Sequence, residues 1–364
     1  MNTDKLGTQT ENIVLLGLLG ILWVLLLTSA VTFVFNRFLG QDFFVGWLSL
    51  LFMCATPFQI VQAIVWHNSL PKRLDTLAQP IKGLYMTVMF FAVSLIVLPI
   101  IWFTVGQGIL SPILIHFVIQ SVVVSLFVVI AFGCWPVTLF CKDPLLLGIT
   151  TLVYCYVLNF VLFALFYNYH FFADLPFYQQ AFDPGGLFNG ISALTFAVTC
   201  AAILMLSTLF DLWPLTLLVK NNKQPLLGFL VTVNAVLLAL VVHYLFATVL
   251  AMDPMDFMVK GPVCIIFGTF LVQNMMQFQL FSALTQPIKG LAKTALCFIG
   301  AFLMYQLYQW ALPWLVGEAL LSGPQHAYAQ EIWIASAMLG ITFPIINFVS
   351  GAFAFWPVKG KPKV

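Results

Sequence analysis

The sequence predicts an all-α polytopic membrane protein, with ten transmembrane helices arranged as five helical hairpin repeats in the same orientation. Three observations predict it. Of the 364 residues, 62% are hydrophobic and only 7% are charged, whereas roughly a quarter of an ordinary soluble domain is charged. Ten apolar runs stand at about 13–36, 43–66, 84–105, 109–134, 145–168, 187–212, 226–250, 261–283, 290–313 and 333–355, each near the length a spanning helix needs. Short polar elements recur at matching ends of these runs. The runs are continuous and do not alternate, which excludes a strand barrel. The chain reads as a single transmembrane domain over 1–364, with hairpins at about 13–66, 84–134, 145–212, 226–283 and 290–355.

The first run follows MNTDKLGTQTEN, which carries acids as well as one Lys. It is too long for a signal-peptide core and has no small-x-small cleavage site, so it is expected to remain as an uncleaved first span. Ten spans put both termini on one side. With the termini lie Lys5, Lys72, Arg73, Lys82, Lys142, Lys220, Lys223, Lys289, Lys293, Lys359, Lys361 and Lys363, twelve of the fourteen basic residues. The opposite loops hold Arg37 and Lys260 but also Asp42, Asp174, Asp183, Asp253, Asp256, Glu318 and Glu331. Basic residues near span ends stay on the cytoplasmic side, so a cell-membrane protein with both termini cytoplasmic is expected. Trp66, Trp135, Trp213 and Trp356 fall at the inner ends, and Trp47, Trp102, Trp310, Trp314 and Trp333 near the outer ends, where the amphipathic indole prefers the headgroup layer. The longest outer loops, 169–186 and 314–332, are apolar enough to fold back onto the bundle.

Internal repetition is the strongest signal. Gln79-Pro80-Ile81-Lys82-Gly83-Leu84 recurs identically as Gln286-Pro287-Ile288-Lys289-Gly290-Leu291, with looser copies at Asp143–Gly148 and Gln224–Phe229. Each copy opens an odd-numbered span. Even-numbered spans close on Trp135-Pro136, Trp213-Pro214 and Trp356-Pro357. The first hairpin lacks the opening element, and the fourth has Gln277 where the closing proline would stand. A proline in a first helical turn removes an amide that had no partner, and Trp-Pro is expected to stop the descending helix at the interface.

Intramembrane polar residues mark candidate sites. Asp211, beside Trp213-Pro214, reads either as an interfacial group paired with Lys220 or as a gate. Gln273, Asn274, Gln277 and Gln279 crowd the inner half of the eighth span, and Gln273 and Gln277 share one helix face. With Gln120 and Asn159 they are candidates for a solute pathway, the alternative being interhelical hydrogen-bond glue. His116 and His243 lie at similar depth from the outer side. Without a His-x-x-x-His or His-Glu-x-x-His spacing they define only a weak outer metal or haem site. Cys54, Cys134, Cys141, Cys155, Cys200, Cys264 and Cys297 are scattered singly and read as packing residues. No cofactor is expected.

Three function classes remain. A permease or channel for a small, weakly charged or amphipathic solute is favoured by ten spans and near absence of soluble mass. A noncatalytic subunit or assembly factor of a larger membrane complex would explain the scarcity of charge and the apolar outer loops. An intramembrane enzyme acting on lipid or quinone would need a clustered acid, base or metal, and no such cluster is legible. No phosphate loop, hydrolase triad or metalloprotease spacing points to ATP use or hydrolysis. The expected partners are the lipid bilayer, a small solute, and membrane-complex subunits or further copies of the chain. A net charge of +2 without a long basic tract argues against nucleic acid.

Overall fold

Within hydrocarbon every backbone amide must find a partner along its own segment, which is why long apolar runs become helices. The computed structural model describes residues 3–41, 43–69, 76–174, 178–219, 223–276, 280–316 and 329–359. Among them ten helices are long and apolar enough to cross a membrane. They are α1 Val14–Leu39, α2 Phe43–Val65, α3 Ile81–Thr104, α4 Pro112–Ala131, α5 Pro144–Phe166, α6 Gly190–Leu209, α7 Leu226–Val249, α8 Pro254–Met275, α9 Ile288–Leu315 and α10 Gln330–Ala352. The protein is a multi-pass membrane protein.

Burial divides the ten by parity. In the even-numbered helices 56–78% of the most apolar stretch is buried, against 22–28% in the odd-numbered ones. The even helices close a ring: α2 packs on α10 and α4, α4 on α6, α6 on α8, and α8 on α10. Each odd helix lies in an outer groove of that ring. Helix α3 touches α10 and α2, α5 touches α2 and α4, α7 touches α4 and α6, α9 touches α6 and α8, and α1 touches α8 and α10. The surfaces of the two sets suit their places. The odd helix α1 turns Leu15, Leu18, Leu22 and Leu26 outward, an apolar face suited to lipid. The even helices bury hydroxyls that are satisfied by the preceding helical turn, such as Ser125 Oγ on the Ser121 carbonyl at 2.7 Å and Thr199 Oγ1 on the Thr195 carbonyl at 2.7 Å.

One joint recurs at the end of the bundle that carries Lys289 and Lys359, here the basic end. Gln79, Gln224 and Gln286 each accept from the amide four residues on, at Gly83, Gly228 and Gly290 (3.2, 3.2 and 3.0 Å). Their Nε2 atoms donate to the carbonyls of Ala352, Ala131 and Leu209 (2.9, 2.8 and 3.4 Å). Each of those carbonyls lies four residues before the closing Trp of an even-numbered helix. At the seam between α2 and α5 the tryptophan itself takes part, Trp66 Nε1 donating to the Pro144 carbonyl at 2.8 Å. At each of these joints, and where α1 meets Met276, a glycine of the odd helix leaves room for a side chain of the neighbouring segment. A Cβ at Gly17, Gly83, Gly148, Gly228 or Gly290 would overlap Met276, Phe353, Trp66, Phe132 or Phe210 respectively.

The helix ends differ from expectation in two ways. Pro144 occupies a first helical turn behind the Asp143 cap, whereas Pro80 and Pro225 precede their helices and the Gln side chain satisfies the first turn instead. The even helices also end before Trp-Pro is reached. They close in a wide turn, with the amides of Trp66, Phe132, Leu212 and Phe353 bonded to carbonyls five residues back, and the chain then reverses through positive φ at Asn68, Cys134, Leu212 and Phe355. At the opposite end the segment after α5 folds back onto the bundle. Strands β1 (Tyr167–Asn168) and β2 (Phe188–Asn189) pair in parallel, and the Asp183 carboxylate accepts from the Tyr169 amide at 3.0 Å. Tyr167 and Tyr169 are thereby buried against α4.

Candidate functional site

The ring of even helices encloses a cavity of about 740 Å³ at the basic end. All five contribute to its wall: Gln59 and Gln62 from α2, Leu126 and Val129 from α4, Met205 and Thr208 from α6, Phe270, Gln273 and Asn274 from α8, and Asn347 and Ser350 from α10. Lys293 reaches it from α9, while Asp211 and Lys359 stand beyond the ends of α6 and α10. Several of the wall amides are held by hydrogen bonds across the ring. Gln273 Nε2 donates to Thr208 Oγ1 at 2.6 Å, and Asn347 Nδ2 to Gln59 Oε1 at 3.3 Å. Gln59 Nε2 in turn donates to the Pro344 carbonyl at 3.3 Å. These bonds tie α6 to α8 and α2 to α10 around the void.

Towards the opposite end the cavity stops on aromatic side chains. The rings of Phe270 and Phe343 lie 4.0 Å apart between centroids, and Phe343 is 2% exposed. Beyond Phe343 and Leu126 is a second void of about 30 Å³, again bordered by all five even helices and apolar apart from Thr56. Further along, Trp333 stacks against Phe44 and meets Tyr308 edge-on. The ring therefore holds a partly polar cavity at one end, is constricted by aromatic and aliphatic groups through the middle, and is packed with aromatic rings towards the other.

Asp211 sits at the mouth of the cavity in the left-handed backbone region, φ 54°. The cation that meets it is Lys289, with Nζ 2.9 Å from Oδ2, and Gln286 Nε2 donates to the same oxygen at 2.8 Å. The expected partner Lys220 lies outside the described residues. Partial burial pushes the Asp211 carboxyl up, but the hydrogen bonds from Lys289 and Gln286 and the charges of Lys289 and Lys293 outweigh this and hold its pKa below the usual carboxylate value.

The other sequence candidates divide. Gln273 and Asn274 line the cavity. Gln277 lies outside the described residues. Gln120 is buried away from the cavity and accepts from the Tyr167 hydroxyl. Asn159 is fully buried on α5 and donates to the Phe117 carbonyl at 3.1 Å, so both bind segments together. His116 Nδ1 is 2.9 Å from the Tyr169 hydroxyl. His243 stands edge-on to Phe196, so each of the two histidines packs with an aromatic ring of its own. Among the described residues no group of three or more His, Cys, Asp or Glu is placed to hold a metal.

Sequence reasoning missed Lys293, Gln59 and Gln62 as wall residues and Phe270 and Phe343 as the constriction. A signal existed for the amides, since Gln59 and Gln62 lie three residues apart on one helix face. None existed for the phenylalanines, two among 37. No known protein family, characterised protein or solved structure matches the chain.

Proposed function

We propose that the protein is a membrane permease or channel for a small solute, with the axis of the five-helix ring as its path. The observation that carries this reading is the polar cavity enclosed by all five even helices and ended by the Phe270–Phe343 contact. Hydrocarbon-facing proteins hold polar groups only where they are paired or where they border water, and the wall of this cavity does both. The packed aromatic segment is the closed gate, since an apolar constriction of this kind excludes water and the ions it carries.

The same reading covers the plan of the chain. We infer that the five hairpins are copies of one unit in the same orientation, related by the recurring Gln and Gly joints, and that the basic end with both termini faces the cytoplasm. The solute then enters the cavity from the cytoplasmic side.

The test is flux through the native protein and a gate variant in proteoliposomes. With stopped-flow light scattering over urea, glycerol, potassium nitrate and potassium gluconate, Phe343→Ala is expected to pass at least one solute about tenfold faster than the native protein, the change that lowering a barrier by about 1.4 kcal/mol gives. Phe270→Ala serves as an independent variant should the first be poorly folded, as loss of a buried Phe costs about 3–5 kcal/mol. Well-folded gate variants that pass none of the four solutes faster than empty liposomes overturn the reading.

A further inference from the structure

The charges around the cavity do not balance. Lys293 and Lys359 face it, and among the described residues that line it Asp211 is the only carboxylate. That carboxylate is already engaged by Lys289 and Gln286. Lys293 is 4% exposed, and among the described residues nothing is hydrogen-bonded or ion-paired to it. Across the ring, Gln62 is 5% exposed and its buried Nε2 has no acceptor. Two donors, the cationic Lys293 and the neutral Gln62, thus line the same void, and among the described residues neither has an acceptor for its side-chain nitrogen.

An ammonium on a largely buried residue with no ion-pair partner is costly, and an unmet amide donor adds to the cost. One class of guest relieves both. A cation is repelled by Lys293 and finds no free carboxylate, and a neutral solute leaves the ammonium uncompensated. An anion satisfies the charge, and the unmet Gln62 donor offers it a neutral hydrogen bond from the same wall.

We propose that the cavity binds a small inorganic anion, with Lys293 supplying the charge and Gln62 a neutral hydrogen bond. The significance for transport rests on the permeation reading above, but binding is measurable without it. Full-length protein in detergent is unfolded thermally in sodium nitrate and in sodium gluconate of equal, low ionic strength. Nitrate is expected to raise the midpoint saturably, as a ligand of the folded state does. The shift should vanish in Lys293→Gln, shrink in Gln62→Leu and persist in Lys293→Arg, which keeps the charge. Equal midpoints in the two salts, or a nitrate shift that Lys293→Gln retains in full, overturn the proposal. Should Lys293→Gln fail to fold, an undiminished shift in Gln62→Leu overturns it. The gate variant separates the two readings. Nitrate stabilisation without flux through Phe343→Ala leaves the anion site standing and removes the path, whereas urea and potassium passing as readily as nitrate, with no nitrate stabilisation, leaves the path and removes the site.

Discussion

Lys289 and Lys293 lie one helical turn apart at the start of α9 and meet opposite circumstances. Lys289 spends its charge on Asp211, 2.9 Å away, and Lys293 keeps its charge for the cavity. Asp211 is therefore ion-paired with one lysine of the pair and reaches the other only through its charge. Its effect on stability has a defined sign. With a folded pKa held below the usual carboxylate value, the contribution is fully present above the unfolded value of about 3.9 and is lost as pH falls through the lower folded value. The Asp211 side chain is 56% exposed, so screening keeps the contribution small. Asp211→Asn is expected to change stability at neutral pH by less than about 1 kcal/mol and to flatten the acid limb of the native profile, checked by thermal unfolding from neutral to acid pH. With Lys289 no longer neutralised, the variant should also bind nitrate more tightly. A variant that loses the nitrate shift instead would make Asp211 part of the anion site and not its counterweight.

At the scale of helices, the recurring joint concentrates two effects at one place. The opening Gln satisfies an amide of its own first turn and a carbonyl at the end of a neighbouring even helix, groups that helix termini otherwise leave unpaired. The glycine four residues on removes the Cβ that would hold the helices apart, so Phe132 seats directly on α7 at Gly228. Close approach through small residues is how helices gain packing energy in a solvent as apolar as themselves. Gly228→Leu is expected to lower stability by about 1–3 kcal/mol through overpacking. Gly300→Ala, on α9 where the new Cβ would meet only ordinary contact with Leu271 at 3.5 Å, should be neutral or stabilising. Detergent melting of the two variants side by side checks the difference, and equal effects would remove the joint's special role. The joint was half legible in the sequence. The identical Gln-Pro-Ile-Lys-Gly-Leu hexapeptides announced that something recurs, but which carbonyl the Gln would reach depends on a partner helix far along the chain. Gln79 and Ala352, for instance, stand 273 residues apart.

For the whole molecule, the ten spans were readable because apolar length is a local property, written residue by residue in the chain. Their sorting into ring and sheath was not, since every helix is apolar enough to face lipid and only packing decides which does. The same limit applied to the site. Gln120 and Asn159 looked like Gln273 to a sequence reading, and only their partners, Tyr167 and the Phe117 carbonyl, distinguish buried glue from a cavity wall. Lys293 read as one more basic residue at an inner helix end, because nothing in its neighbours shows that α9 turns it inward between α6 and α8. Orientation is the remaining property of the whole molecule, and the loops argue it from charge alone. Lys and Arg within reach of a span end resist translocation, whereas Asp and Glu exert little pull, so the twelve basic residues grouped with the termini outweigh Arg37 and Lys260 on the other side. In a background with the native cysteines replaced, Asp183→Cys or Glu318→Cys is expected to react with an impermeant maleimide in intact cells. Lys72→Cys or Lys220→Cys should react only after permeabilisation. Reversed labelling at both pairs would place the polar cavity on the outer face, so that the anion bound beside Lys293 would be drawn from outside the cell and not from the cytoplasm.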